Sequence, residues 1–159
     1  MVATQTPLQP GSRAPDFTLT DQNGRRVRLS DLTAAANVVL VFYPFAFSGI
    51  CTGELDGIRD NLGEYVADDL HLLTISCDPT YALRGWADAK GYFFPLLSDF
   101  WPHGAVTRDY GVFDESGGMP VRGTFLIDAT GTIRWTLINP PSVGRDFSGL
   151  QEALRELRA

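Results

Sequence analysis

At 159 residues, with 44% hydrophobic and 20% charged positions, the chain is long enough to bury a substantial core without disulfides or metals. Thirteen Lys and Arg against nineteen Asp and Glu leave a net charge of minus 6, the wrong sign for a phosphate backbone, so nucleic acid is not an expected partner. Two cysteines and two histidines without ligand spacing predict neither a metal site nor a disulfide framework.

Met1 to Pro7 has neither the basic region nor the apolar stretch of a secretory signal, and residues 1–12 read as a loose lead-in to one domain covering 1–159. Ala14 to Thr20 alternates apolar and polar, Asp21-Gln22-Asn23-Gly24 is a turn signal, and Val27-Arg28-Leu29 closes a small hairpin suited to a sheet edge. Ser30-Asp31-Leu32 opens a helical turn before a buried strand over 38–43. The nearly apolar run Val38 to Phe47 is far short of the ~20 residues that span a bilayer, so no membrane association is expected.

Beyond the segment around Cys51, Leu70 to Ser76 reads as a second strand and Tyr81 to Lys90 as a helix started by Asp78-Pro79-Thr80. Strand, helix, strand, helix at these lengths predicts a parallel βαβ unit. A short apolar segment follows at 93–97, then a short helix at 105–110. The stretches 124–128 and 133–137 predict an antiparallel hairpin across Ala129-Thr130-Gly131, and Leu150, Leu154 and Leu157 lie on one stripe of a final helix.

The chemistry is expected at Cys51. The Val- and Phe-rich strand ends at Pro44, passes through a turn, and delivers this thiol to the start of a helical pattern in which Leu55, Ile58, Leu62 and Val66 share a stripe. Unpaired backbone N–H groups and the positive end of the helix dipole favour thiolate over thiol there. Ser48, three residues earlier, is close enough for its hydroxyl to face the sulfur or to cap the helix. Pro44 brings no N–H and can wall the pocket without competing for the sulfur.

The pattern Pro44-x-x-x-Ser48-x-x-Cys51, set between a strand and a helix, resembles the active-site motif of the peroxiredoxins. The similarity extends over the whole chain and implies an α/β thioredoxin fold in its peroxiredoxin variant, with an N-terminal β-hairpin and a central mixed sheet flanked by helices. Glu54 stands where the thioredoxin Cys-x-x-Cys motif has its second cysteine, so dithiol exchange within that motif is excluded. Gly49-Ile50-Cys51-x-Gly53-Glu54-Leu55-Asp56 and the segment Phe94 to Val106 look like the one-cysteine alkyl hydroperoxide reductase E subfamily.

That resemblance implies a thiol peroxidase acting on hydrogen peroxide, alkyl hydroperoxides and peroxynitrite through a Cys51 sulfenic acid, with no bound cofactor. Arg122, ahead of the strand Thr124 to Asp128, corresponds to an arginine that points back at the cysteine. Glu54 either holds that guanidinium or is a plain exposed acid, and Trp86 is either near the site or only core. His103 is taken as structural. Cys77, at the end of the second strand, departs from the subfamily and is either a buried, unreactive thiol or a resolving cysteine.

The reductant implied is an external thiol of the mycothiol or glutathione type with a mycoredoxin- or glutaredoxin-like protein, in a reducing cytoplasm. The alternatives are a thioredoxin-dependent two-cysteine enzyme and a non-enzymatic redox sensor. The aromatics Phe45, Phe47, Trp101 and Phe113, together with the resemblance, predict at least a homodimer.

Overall fold

The computed structural model describes residues 6–159 and is organised around a seven-stranded mixed sheet. The N-terminal hairpin β1 (Thr18–Thr20) and β2 (Arg26–Arg28) leads into a short helix α1 (Leu29–Thr33) and the central strand β3 (Asn37–Phe42). Helix α2 (Gly49–Asp60), strand β4 (Leu70–Ser76), helix α3 (Thr80–Lys90) and strand β5 (Leu96–Ser98) follow as two crossover units, and β3, β4 and β5 run parallel. Next come α4 (Ala105–Asp109), the small hairpin β6 (Phe113–Asp114) and β7 (Met119–Pro120), the hairpin β8 (Arg122–Ile127) and β9 (Ile133–Asn139), and the closing helix α5 (Ser148–Arg158). The sheet order is β2-β1-β5-β4-β3-β8-β9, which puts the N-terminal hairpin at one edge as its short, polar strands predict.

Strands β3 and β4 are buried on both faces, and their alternate residues divide between two cores. Val39, Val41, Tyr43, Leu70 and Leu72 pack under α2, α3 and α5 through Cys51, Leu55, Ile58, Leu83, Trp86, Leu150 and Leu154. Val38, Leu40, Phe42, Leu73 and Ile75 point the other way, toward Leu29, Val106, Tyr110 and Phe125. Because β8 is antiparallel to β3, with Val41 opposite Thr124, the start of β8 lies at the end of β3 that leads to Cys51.

Three expectations change. The stripe after Cys51 does not extend to Val66: α2 stops at Asp60, Asn61 folds its side-chain amide back onto the Gly57 carbonyl at 2.9 Å, a tight turn spans Leu62–Glu64, and Val66 is exposed. The lead-in is anchored from Leu8, whose N–H donates to the Tyr110 carbonyl at 3.2 Å, while Gly11 and Ser12 exchange hydrogen bonds with Ile133 at 2.8 and 2.9 Å; residues 1–5 lie outside the described residues. The β6–β7 hairpin was not foreseen, since two-residue strands leave no periodic signal. Among the described residues no helix is long and apolar enough to cross a membrane, and no group of three His, Cys, Asp or Glu could hold a metal.

Candidate active site

Strand β3 leaves the sheet through Tyr43 and Pro44, both buried, and the loop 45–48 turns the chain into α2. The first intrahelical bond runs from the Thr52 N–H to the Ser48 carbonyl at 2.9 Å, which leaves the N–H groups of Gly49, Ile50 and Cys51 outside the helical ladder. Cys51 is the third residue of this twelve-residue helix and has no exposed surface. Its thiol therefore sits at the positive end of the α2 dipole in an apolar setting.

Against this helix lies a buried ionic cluster. Arg122, 2% exposed at the start of β8, donates from Nε to the Pro141 carbonyl at 2.8 Å and from Nη1 to Glu54 Oε1 at 2.5 Å. Glu54 is one turn along α2 from Cys51, so the same helix that presents the sulfur presents the carboxylate. Its other oxygen accepts from the backbone N–H and the Nε of Arg145 at 2.9 and 3.0 Å. Burial pushes the Glu54 carboxyl up, but Arg145 and then Arg122 outweigh it and hold it below the usual carboxylate range.

Arg145 was not identified from the sequence. It lies in a loop with no periodic pattern, 91 residues beyond Glu54, yet its side chain is fully buried. Besides Glu54 it donates to the carbonyls of Phe42 and Gly123, at 2.5 and 3.1 Å, and to the Thr124 hydroxyl at 2.9 Å, stitching the ends of β3 and β8 to α2. Burial pulls its guanidinium pKa down; the charges of Glu54 and of a Cys51 thiolate pull it back up. Two guanidiniums and one carboxylate leave one positive charge in excess against α2, with Arg145 near enough to interact electrostatically with Cys51, and Arg122 Nη2 has no hydrogen-bond partner among the described residues.

The remaining expected residues divide. Ser48 occupies the N-cap position but makes no side-chain cap; its hydroxyl donates to the Phe45 carbonyl at 2.8 Å, closing the loop on itself. Trp86 is 1% exposed in the same core as Cys51, with Tyr43 at 5.6 Å, Tyr92 at 5.1 Å and Phe47 at 6.0 Å between ring centroids. Phe113 is buried against the Arg108 guanidinium, unlike the exposed Phe45, Phe47 and Trp101, so it offers no surface for a partner. His103 donates from Nε2 to the Gly118 carbonyl at 2.7 Å, outside the site.

Cys77 directly follows β4 at the same end of the sheet as Cys51 but faces α4, on the side of the Leu73 and Ile75 core. Its sulfur lies 4.0 Å from the Thr107 hydroxyl on α4, and the two cysteines are unbonded. Burial, with the nearby Asp99 charge, pushes its thiol up to about 12.

The AhpC/TSA family model matches residues 10–136. Alkyl hydroperoxide reductase E of Mycobacterium tuberculosis is 50% identical over 152 residues, covering 96% of this chain and 99% of that protein. In structure, the peroxidoxin BcpB from Mycobacterium tuberculosis superposes with a TM-score of 0.83 at 30% identity over 96% of this chain and 99% of its own. Enterococcus faecalis AhpC gives 0.83 at 28% identity over 94% and 92%. A shielded thiol at a helix start on a thioredoxin-type sheet, with this coverage, defines the class: the chain belongs to the AhpC/TSA family and is a peroxiredoxin. Within it the chain is of the alkyl hydroperoxide reductase E type, a thiol peroxidase and thus an oxidoreductase.

Proposed function

We propose that Cys51 is the peroxidatic nucleophile and that Arg122, Ser48 and Pro44 form the pocket in which it meets hydrogen peroxide, an alkyl hydroperoxide or peroxynitrite. The observation that carries this reading is the excess positive charge that Arg122, Arg145 and Glu54 hold beside a thiol in the first turn of α2. The thiolate attacks the nearer peroxide oxygen and forms an S–O bond as the O–O bond breaks. The leaving alkoxide or hydroxide takes a proton and departs as alcohol or water, peroxynitrite releases nitrite instead, and Cys51 is left as a sulfenic acid.

Charge moves from sulfur to the leaving oxygen in this step, and fixed donors already aimed at that position lower its barrier. Arg122 Nη2 supplies such a donor, with Nε and Nη1 anchored on Pro141 and Glu54. Since the Ser48 proton is engaged by Phe45, its oxygen offers lone pairs to the O–H of a hydroperoxide and so orients which oxygen is attacked. The Cys51 N–H is a further donor. Glu54 and Arg145 position Arg122 and act through it, and Trp86 packs behind the sulfur as an optical reporter. Pro44 walls the pocket. The sulfur has no exposed surface at rest, so a peroxide enters by a small displacement of the loop 45–48.

The enzyme is read as a one-cysteine peroxidase, because the Cys77 sulfur lies on the far face of β4 and its raised pKa suits a neutral thiol. The sulfenic acid is then reduced by an external thiol of the mycothiol or glutathione type and a mycoredoxin- or glutaredoxin-like partner, in a reducing cytoplasm. No cofactor is required. Exposed Phe45, Phe47 and Trp101 on loops at the site end of the sheet suit a homodimer interface; light scattering that finds only monomer at high concentration counts against it. Intact-mass spectrometry after one equivalent of peroxide tests the mechanism: dimedone should trap Cys51 in both the wild type and Cys77→Ser. A wild-type Cys51–Cys77 disulfide, with dimedone adduct only in Cys77→Ser, makes it a two-cysteine enzyme served by thioredoxin.

A further inference from the structure

The loop 45–48 carries the reacting geometry, yet no strand or helix pairs with it. Phe47 within it adopts a φ of +68°, a left-handed conformation that costs a non-glycine residue about 1–3 kcal/mol and persists only where the surroundings fix it. One tie is the Phe47 ring against Trp86, with Gly85 alongside leaving room for it. The Ser48 to Phe45 bond is internal to the loop and anchors it to nothing.

Ala46 packs against the core under α2, and a polar tie to its backbone comes from Asp78, 32 residues away in the β4–α3 turn. Its Oδ2 accepts the Ala46 N–H at 2.8 Å and the Ser76 hydroxyl at 2.7 Å. Asp78 is itself held from both sides, since the Ser98 hydroxyl of β5 donates to its carbonyl at 2.6 Å and its own N–H lies 3.3 Å from Ser76 Oγ. The carboxylate thus fixes the Ala46 peptide plane from the frame of β4 and β5. From that plane follow the φ of Phe47, the position of Ser48 and the line on which α2 begins.

We infer that Asp78 is a positioning residue for the peroxidase reaction: through the Ala46 N–H it holds the loop so that Ser48 and the first turn of α2 meet the peroxide in attacking geometry. This rests on Cys51 being the nucleophile. Asp78 touches neither sulfur nor substrate. A misplacement of about 1 Å in such a site costs up to about a hundredfold in rate, while a displaced loop leaves the sulfur as accessible to an alkylating agent as before, or more so.

The experiment uses the full chain in a Cys77→Ser background, so that all thiol chemistry reports Cys51. Two second-order rates are measured, with hydrogen peroxide by stopped-flow tryptophan fluorescence and with iodoacetamide by intact mass, alongside thermal unfolding. Asp78→Ala should lower the peroxide rate about tenfold or more while alkylation stays unchanged or rises. Asp78→Asn, which keeps an acceptor for the Ala46 N–H, should restore most of the peroxide rate. Ser76→Ala removes the hydroxyl that orients the carboxylate, without charge change, and should show the same split at about threefold; it keeps the test available if Asp78→Ala does not fold. A peroxide rate equal to the parent's in Asp78→Ala and Ser76→Ala, or a parallel fall in both rates, overturns the assignment. A parent that does not react with peroxide instead overturns the role of Cys51.

Discussion

Cys51 and Cys77 leave neighbouring parallel strands at the same end of the sheet, and both are buried, yet their surroundings differ in kind. Cys51 meets a helix N-terminus and an ionic cluster with one positive charge in excess. Cys77 meets a neutral hydroxyl and a buried carboxylate, Asp99, that accepts from the Thr107 hydroxyl and N–H at 2.7 Å. The carboxylates repeat the contrast. Burial pushes both up, but two guanidiniums bring Glu54 below its ordinary value, whereas neutral donors leave Asp99 above it. Cys77, buried among neutral and acidic neighbours, is held as a neutral thiol, whereas the proposed role of Cys51 rests on the positive charge near its helix start.

The contrast breaks most sharply by exchanging the sulfurs for oxygen. Cys51→Ser should abolish thiol-dependent peroxide reduction, while Cys77→Ser retains it, read as peroxide consumed with a small-thiol reductant. Next, Arg122→Met should slow peroxide reaction by about a hundredfold or more, in line with loss of a fixed donor to developing charge. The rate should stay low at alkaline pH, where the thiolate is fully formed; full recovery there would mean that Arg122 acts on ionisation alone.

Stability sharpens the comparison further. Arg145→Leu removes one of Glu54's two guanidinium partners and the donor to three backbone or hydroxyl acceptors, and should cost about 3–5 kcal/mol in urea unfolding, the range for breaking a buried ion pair. A loss below about 1 kcal/mol, as for an exposed pair, would contradict the cluster's role in holding α2. A smaller effect should appear with pH. The depressed Glu54 contributes stability above its unfolded pKa that is lost as pH falls through its lower folded value, so wild-type stability should decline on acidification below about pH 4. Glu54→Gln should be weaker at pH 7 and decline less. Asp99 has the opposite sign: its raised folded pKa favours the folded state at low pH and loses that contribution as pH rises through the folded value. For Cys77 the same sign puts the loss between about pH 9 and about pH 12.

What the sequence determined by itself was everything carried by short-range pattern. Strand β4 was legible residue for residue as Leu70 to Ser76, and α3, α5 and the β8–β9 hairpin were legible to within a few residues, because period and turn chemistry are local. So was the presentation of Cys51, since a strand, a proline, a turn and a helix start are contiguous. Tertiary structure alone decided which face Cys77 takes: a strand apolar on both sides carries no alternation to mark one face as the site's. It alone brought Arg145 across 91 residues onto Glu54 and Asp78 across 32 onto Ala46, because a loop arginine and a turn aspartate look like ordinary solvated charges until the sheet stacks their strand ends together. The helix-start thiol was written locally, while the Arg145–Glu54 and Asp78–Ala46 bonds that tie α2 and the loop before it are long-range contacts, which have no period for a sequence to display.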